Sequence, residues 1–223
     1  MKVEAVQGTT ADGLMLRGEL VRGDETWLVL VHDVGEDIDA WQPLRPGLAR
    51  LGWTLLALDL RGHGGSDGEW KGERGELDVD LAVTLARRHG ARHVAVVAAG
   101  GSGILALRAV ERAMPEEGFD LPDSLILISP GPLDGVDPMT LRGGGLSKLF
   151  LYGAKDRLAA DVVALQRASI GWNVAVSFAT EARGAALATE WTVNVLDKMG
   201  SFLKEQSVLL GPGRARAERR TQT

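Results

Sequence analysis

The stretch that most constrains the fold is residues 26–67, TWLVLVHDVGEDIDAWQPLRPGLARLGWTLLALDLRGHGGSD. Two apolar runs, 27–31 and 54–58, each have the length of one strand. Neither alternates with polar residues, as expected of strands covered on both faces. Between them Trp41, Leu44, Leu48 and Leu51 recur at helical spacing. With turn residues at each joint, the pattern predicts strand, helix, strand: one βαβ unit with a right-handed crossover.

The same alternation continues. Residues 3–6 and 14–20 predict two strands joined at Ala11-Asp12-Gly13, a hairpin turn signal. Leu77, Leu81 and Leu85 predict a helix ending at Gly90, a fitting C-cap. Residues 93–98 predict a strand that turns at Gly100 into a helix running to Arg112. Further strands are predicted at 124–128, 147–152 and 174–178, with helices at 157–169 and along Trp191, Val195, Met199 and Phe202. Strands that alternate with helices imply a mostly parallel sheet, helices on both faces, in a single domain over residues 1–205. Residues 206–223 hold Gly211-Pro212-Gly213 and then Arg214, Arg216, Arg219 and Arg220, and they read as a disordered basic tail.

Composition narrows the function classes. With no cysteine there is no thiol nucleophile, disulfide or Cys-metal site. A formal charge of −5 argues against nucleic acid as the main partner. No apolar run is long enough to span a bilayer, and MKVEAVQGTT lacks the apolar core of a signal peptide. The expectation is a cytoplasmic protein without metal or cofactor. Its partner would be a small molecule or another protein, and assembly into a homo-oligomer is left open.

The central stretch resembles the α/β-hydrolase family. The resemblance rests on His32, Gly35, Glu36 and Trp41, followed by the strand-end motif Asp59, Arg61, Gly62, Gly64 and Ser66. It implies the α/β-hydrolase fold, with about eight strands, and the short segment between residues 128 and 147 leaves no room for a lid domain.

The resemblance also implies where a catalytic triad would lie, and there the chain departs from the family. A nucleophile elbow reads G-x-S-x-G between a strand and a helix. Aligning strand and helix puts Ala98, Gly100 and Ser102 on its three marked positions, so Gly100 stands where the nucleophile belongs. Ser102 is the alternative nucleophile. It lies two residues, about 200° of helix, further on, and reads equally as a small packing or capping residue. Asp156, in Gly153-Ala154-Lys155-Asp156, matches the triad acid, or caps the helix that follows. Arg183, before Gly184, stands at the base position. A guanidinium stays protonated and cannot act as a general base. All four histidines precede Asp156. His32 reads as a structural hydrogen-bonder and His63 as a solvated loop residue.

The family's oxyanion loop corresponds to His32-Asp33-Val34, which makes Asp33, Val34 and Gly101 the binding-site candidates. A carboxylate at Asp33 opposes oxyanion stabilisation unless Arg183 neutralises it. The first N–H groups of the helix, from Gly100 to Ser102, together with Arg183, are also a candidate site for a small anion. Three readings follow. The protein is a catalytically degenerate, non-catalytic member of the family that binds a ligand or a protein; or it is a serine ester hydrolase, esterase- or lipase-like, that uses Ser102 or a displaced base; or Asp33, Asp156 or His32 supports a different chemistry. On the first reading, Gly100→Ser with Arg183→His is expected to recover weak esterase activity if the backbone frame is intact.

Overall fold

The two apolar runs of the central stretch form β3 (Thr26–Val31) and β4 (Thr54–Leu58), which pair in parallel with Trp27 opposite Thr54. The computed structural model describes residues 2–113, 120–132, 137, 141–142 and 144–210, without the side chains of 207–210. The segment joining β3 to β4 is not one helix. It is a 3-10 turn, Ile38–Trp41, followed by α1 (Arg45–Arg50). Pro43 and Pro46 lack backbone donors and cannot sit inside a helix, and Pro46 lies where a helix accepts it, in the first turn. The periodicity reports burial for Trp41, Leu44 and Leu48, all 0–1% exposed, but not for Leu51, which is 47% exposed at the C-terminal end of α1.

The hairpin strands are β1 (Val3–Thr9) and β2 (Met15–Val21), turned at Gly13 with φ +89°. The remaining strands are β5 (His93–Ala99), β6 (Ser124–Ile128), β7 (Ser147–Gly153) and β8 (Asn173–Phe178). They build one eight-stranded sheet in the order β1-β2-β4-β3-β5-β6-β7-β8. Only β2 runs against its neighbours.

The helices are α2 (Glu76–Arg88), α3 (Ser102–Ala113), α4 (Ala159–Ala168), α5 (Gly184–Glu190) and α6 (Thr192–Leu210). Strand residues alternate between two cores. Val29, Val96 and Leu127 pack with Val83, Leu107 and Leu165 of α2, α3 and α4. Leu28, Val97 and Ile126 pack with Leu48, Leu187 and Met199 of α1, α5 and α6. No element lies between β6 and β7 among the described residues.

Two further expectations need correction. The sequence predicts no element over α5, because its Ala-rich segment has no apolar periodicity to reveal it. The tail was expected from residue 206, but α6 continues to Leu210, and Gln206 is 5% exposed. Residues 211–223 of that expected tail lie outside the described residues.

A buried lysine sits at the amino end of β7, the opposite end of the strands from the loops discussed below. The Lys148 ammonium is fully buried and donates to the carbonyls of Gly144, Leu146 and Ile170 at 3.1, 2.7 and 2.7 Å. Burial lowers its pKa from the ordinary 10.5 to about 8. Below about 8 both folded and unfolded chains are protonated. Between about 8 and 10.5 only the unfolded chain holds the proton, so stability rises with pH across that window. Urea midpoints at pH 7.5 and 9.5 should show this gain in the wild type, and Lys148→Met should lose it. Equal pH responses of the two proteins would refute the assignment.

Candidate active site

Because the inner strands are parallel, the loops after β3, β5, β6, β7 and β8 lie beyond the carboxyl ends of the strands, where open α/β sheets hold their ligands. β5 ends at Ala99, and the chain turns through Gly100 with φ +55° before α3 begins. That left-handed conformation suits glycine and strains other residues by about 1–3 kcal/mol. The turn is pinned by Gly100 N–H donating to the Ile128 carbonyl at 2.9 Å and by Gly131 N–H donating to the Gly100 carbonyl at 3.1 Å.

The Asp33 carboxylate fills the space in front of this turn. A Cβ built on Gly100 would fall 1.7 Å from Asp33 Oδ2. Asp33 Oδ1 accepts from Gly101 N–H at 2.7 Å and from Val34 N–H at 2.8 Å. These amides come from the two segments that the resemblance assigns to oxyanion binding. The helix start was expected to offer an open anion site; the structure corrects this, since its anion is the chain's own carboxylate.

His32 holds the Asp33 loop in place. It is fully buried, its Nε2 accepts from Leu60 N–H at 3.0 Å, and Nδ1 lies 2.8 Å from the Asp33 carbonyl. That pairing assigns the ring proton to Nδ1. Burial lowers the imidazole pKa and favours the neutral ring. Its role is the structural one expected.

His63 differs from expectation. It is half-buried rather than solvated, with Nε2 accepting from Gly35 N–H at 2.9 Å and Nδ1 at 2.9 Å from the Arg61 carbonyl.

Ser102 does not join the site. It is fully buried, and its hydroxyl donates to the His32 carbonyl at 2.5 Å, tying α3 to the end of β3.

Asp156, in the loop after β7, is 7% exposed, and its Oδ1 accepts from Leu158 N–H at 3.1 Å at the start of α4. Its Oδ2 lies 3.6 Å from Arg183 Nε, within ion-pair range, although neither atom makes a hydrogen bond. With Arg183 about one-third exposed, such a pair contributes about 0–1 kcal/mol. Arg183 is the N-cap residue of α5, and its Nη2 also reaches the Ser129 carbonyl at 3.5 Å. Arg183 thus pairs with Asp156. Gly184, with φ +53°, closes over the elbow, and a Cβ there would lie 3.7 Å from Asp33 Oδ2.

The structure therefore gathers Asp33, Val34, Gly100, Gly101, Asp156 and Arg183 in one place. It adds Ser129, a fully buried residue with φ +48° that supplies the arginine's second contact. Its place before Pro130 gave no signal of this, since a residue before proline favours extended backbone. Among the described residues no group of three or more His, Asp or Glu could hold a metal ion, and no helix is long and apolar enough to cross a membrane. An open depression of about 560 Å³ lies to one side, lined by Gly35, Glu36, Asp37, Ala40, Gly62, His63 and Gly64 rather than by the elbow.

Comparison with known proteins supplies the frame. A sequence model described as "Alpha/beta hydrolase family" matches residues 28–219. No curated protein sequence matches the chain. Among solved structures, an esterase of Pyrococcus furiosus superposes with a TM-score of 0.77 at 16% identity, over 92% of this chain and 91% of that one. The enol-lactonase of Burkholderia xenovorans LB400 gives 0.69 at 14% identity, over 89% and 100%. Est1E of Butyrivibrio proteoclasticus, bound to ferulic acid, gives 0.71 at 17% identity, over 91% and 99%. At these identities the likeness is one of fold.

Proposed function

Since the chain belongs to the alpha/beta hydrolase family, and since function resides in a site rather than in a fold, we propose from its site that it is a non-catalytic member that acts by binding a small molecule or a protein. The observation that carries this reading is the Asp33 carboxylate, seated in the space of the missing nucleophile side chain and bonded to the Gly101 and Val34 amides. Acyl transfer needs a nucleophile, a base within reach and donors free for the developing oxyanion. Gly100 supplies no nucleophile, Arg183 supplies no base, and the donors are engaged by an anion. A second negative charge developing about 4 Å from Asp33 would meet a repulsion of roughly 4 kcal/mol at an effective dielectric near 20. That alone slows a reaction about 10³-fold.

The alternative, a serine ester hydrolase using Ser102, is disfavoured by the burial of that hydroxyl and by its bond to the His32 carbonyl. Incubation with a fluorophosphonate probe and a p-nitrophenyl ester tests both readings. We expect neither labelling nor turnover above background in the wild type. Labelling at a serine, or turnover abolished by Ser102→Ala, would overturn the non-catalytic reading.

A further inference from the structure

Two histidines join the loops after β3 and β4, reaching across in opposite directions. His32, just after β3, accepts the Leu60 N–H at Nε2, 3.0 Å away. His63, in the turn after β4, accepts the Gly35 N–H at Nε2, 2.9 Å away. Nδ1 of His32 lies 2.8 Å from the Asp33 carbonyl, and Nδ1 of His63 lies 2.9 Å from the Arg61 carbonyl. An Nε2 that accepts leaves the proton on Nδ1, so both cross-loop bonds need neutral rings. A proton on either Nε2 sets two donors against each other. The ring centroids are 5.3 Å apart, so two imidazolium charges would also repel.

Glu36 and Asp37 line the depression beside His63, and their charges favour an imidazolium. Burial raises the Glu36 pKa, and its Oε2 lies 3.4 Å from Asp33 N–H. The Arg61 guanidinium is turned away, onto Asp78 and Asp12, and the Asp33 carboxylate faces the Gly101 and Val34 amides. The Trp70 ring packs against His63, with centroids 5.1 Å apart. Asp59 is a third bridge between the loops: Oδ1 accepts from Ile38 N–H at 2.9 Å and Oδ2 from Gly65 N–H at 2.8 Å. Neither of its bonds involves an imidazole.

We propose that His32 and His63 form an acid-released latch: two reciprocal imidazole bonds that hold residues 33–36 against residues 60–63 and open when His63 takes a proton. His63 is half-buried and lines the depression, so it is the ring that solvent reaches. Burial favours the neutral ring of His32 while the loops are closed. Opening frees both Nε2 atoms for protonation, so the open form binds more protons and falling pH favours it. The Asp59 bridge confines the movement to the residues before Ile38 and before Gly65. The released segment carries Asp33 and Val34, so acid loosens one wall of the candidate site. The inference goes beyond the non-catalytic reading and holds whether or not the site is catalytic.

The test is amide hydrogen exchange read by NMR, expressed as protection factors, at pH 7.5 and 5.5 in the wild type and His63→Gln. The Gln side-chain oxygen can accept from Gly35 N–H but takes no proton in this range. In the wild type, protection of Gly35 N–H should fall about tenfold at the lower pH, the effect of losing one hydrogen bond. Leu60 N–H should lose protection with it, and the His63 ring signals should move in step. Ile38, Gly65 and the β5 amides of Val96 and Val97 should keep their protection. In His63→Gln the fall at Gly35 should vanish. Unchanged Gly35 protection in the wild type would overturn the proposal, as would equal losses at Ile38 and Gly65. So would the same fall in His63→Gln, which would assign the effect to Glu36. Should His63→Gln fold poorly, the contrast of Gly35 with Ile38 and Gly65 in the wild type still decides. Ester turnover or probe labelling by the wild type bears on the non-catalytic reading alone, so the two failures are distinguishable.

Discussion

The triple variant Asp33→Gly/Gly100→Ser/Arg183→His should hydrolyse p-nitrophenyl acetate measurably, whereas Gly100→Ser/Arg183→His should not. The pair of substitutions looks sufficient from the sequence. It is not, because the Cβ of a serine at 100 would overlap Asp33 Oδ2, 1.7 Å away. The doubly substituted protein must expel Asp33 or distort the elbow, and the oxyanion donors remain occupied unless Asp33 leaves. Removing Asp33 frees Val34 N–H and Gly101 N–H, each worth about 10²–10³ in rate when aimed at an oxyanion. An imidazole at 183 faces Asp156 Oδ2, which lies 3.6 Å from the present Nε and lacks a hydrogen bond. A positioned base contributes about 10²–10⁴. We therefore expect the triple variant to exceed the double by at least about 10²-fold. Serine at φ +55° is strained, so the variant should also lose about 1–3 kcal/mol of stability. Equal activities of the two variants would show that Asp33 does not obstruct the site.

Arg61→Met should be the most destabilising single substitution of a charged residue, by about 3–5 kcal/mol. Arg61 is 1% exposed, although it stands in the glycine-rich turn after β4. Its Nε and Nη2 donate to Asp78 Oδ1 at 3.0 and 2.8 Å, and its Nη1 donates to Asp12 Oδ2 at 2.8 Å. Its own N–H donates to Asp78 Oδ2 at 2.9 Å. One side chain thus joins the β4 turn, the first turn of α2 and the β1–β2 turn. Hydrogen bonding to Arg61 holds Asp12 below the usual carboxylate range, whereas burial pushes Asp78 up. Without the guanidinium, Asp78 becomes a buried carboxylate with no cation. At roughly 2–4 °C per kcal/mol for a chain of this size, Tm should fall by about 10 °C. Arg61→Met/Asp78→Leu should recover part of the loss, because it also removes the uncompensated charge. Urea unfolding of the three proteins checks both statements. A loss below about 1 kcal/mol in Arg61→Met would mean that water solvates the cluster.

What the sequence determined by itself is what short-range periodicity and backbone chemistry specify. Runs of apolar residues at strand length, separated by helical repeats, imply a parallel sheet covered on both faces. The strand–Gly100–helix turn and the Gly153–Asp156 turn are legible because the residues that shape them are adjacent in the chain. That Gly100 and Arg183 stand where the family resemblance puts the nucleophile and the base is equally legible, since it needs only a match of positions. Two local features escaped this reading: the prolines that divide the crossover into a 3-10 turn and α1, and the Ala-rich α5, whose small residues carry little periodic contrast.

Only the tertiary structure decided what occupies the altered site. The Asp33 side chain and the Gly101 amide are 68 residues apart, and Arg61 and Asp12 are 49 apart. No local pattern states that such pairs meet, because their approach depends on how β3 registers against β5 and how the hairpin packs beside β4. The sequence shows an aspartate near an oxyanion position, a charge that would oppose catalysis from a distance. The fold brings its carboxylate to the Gly101 and Val34 amides, because a glycine at 100 leaves the space in which it sits.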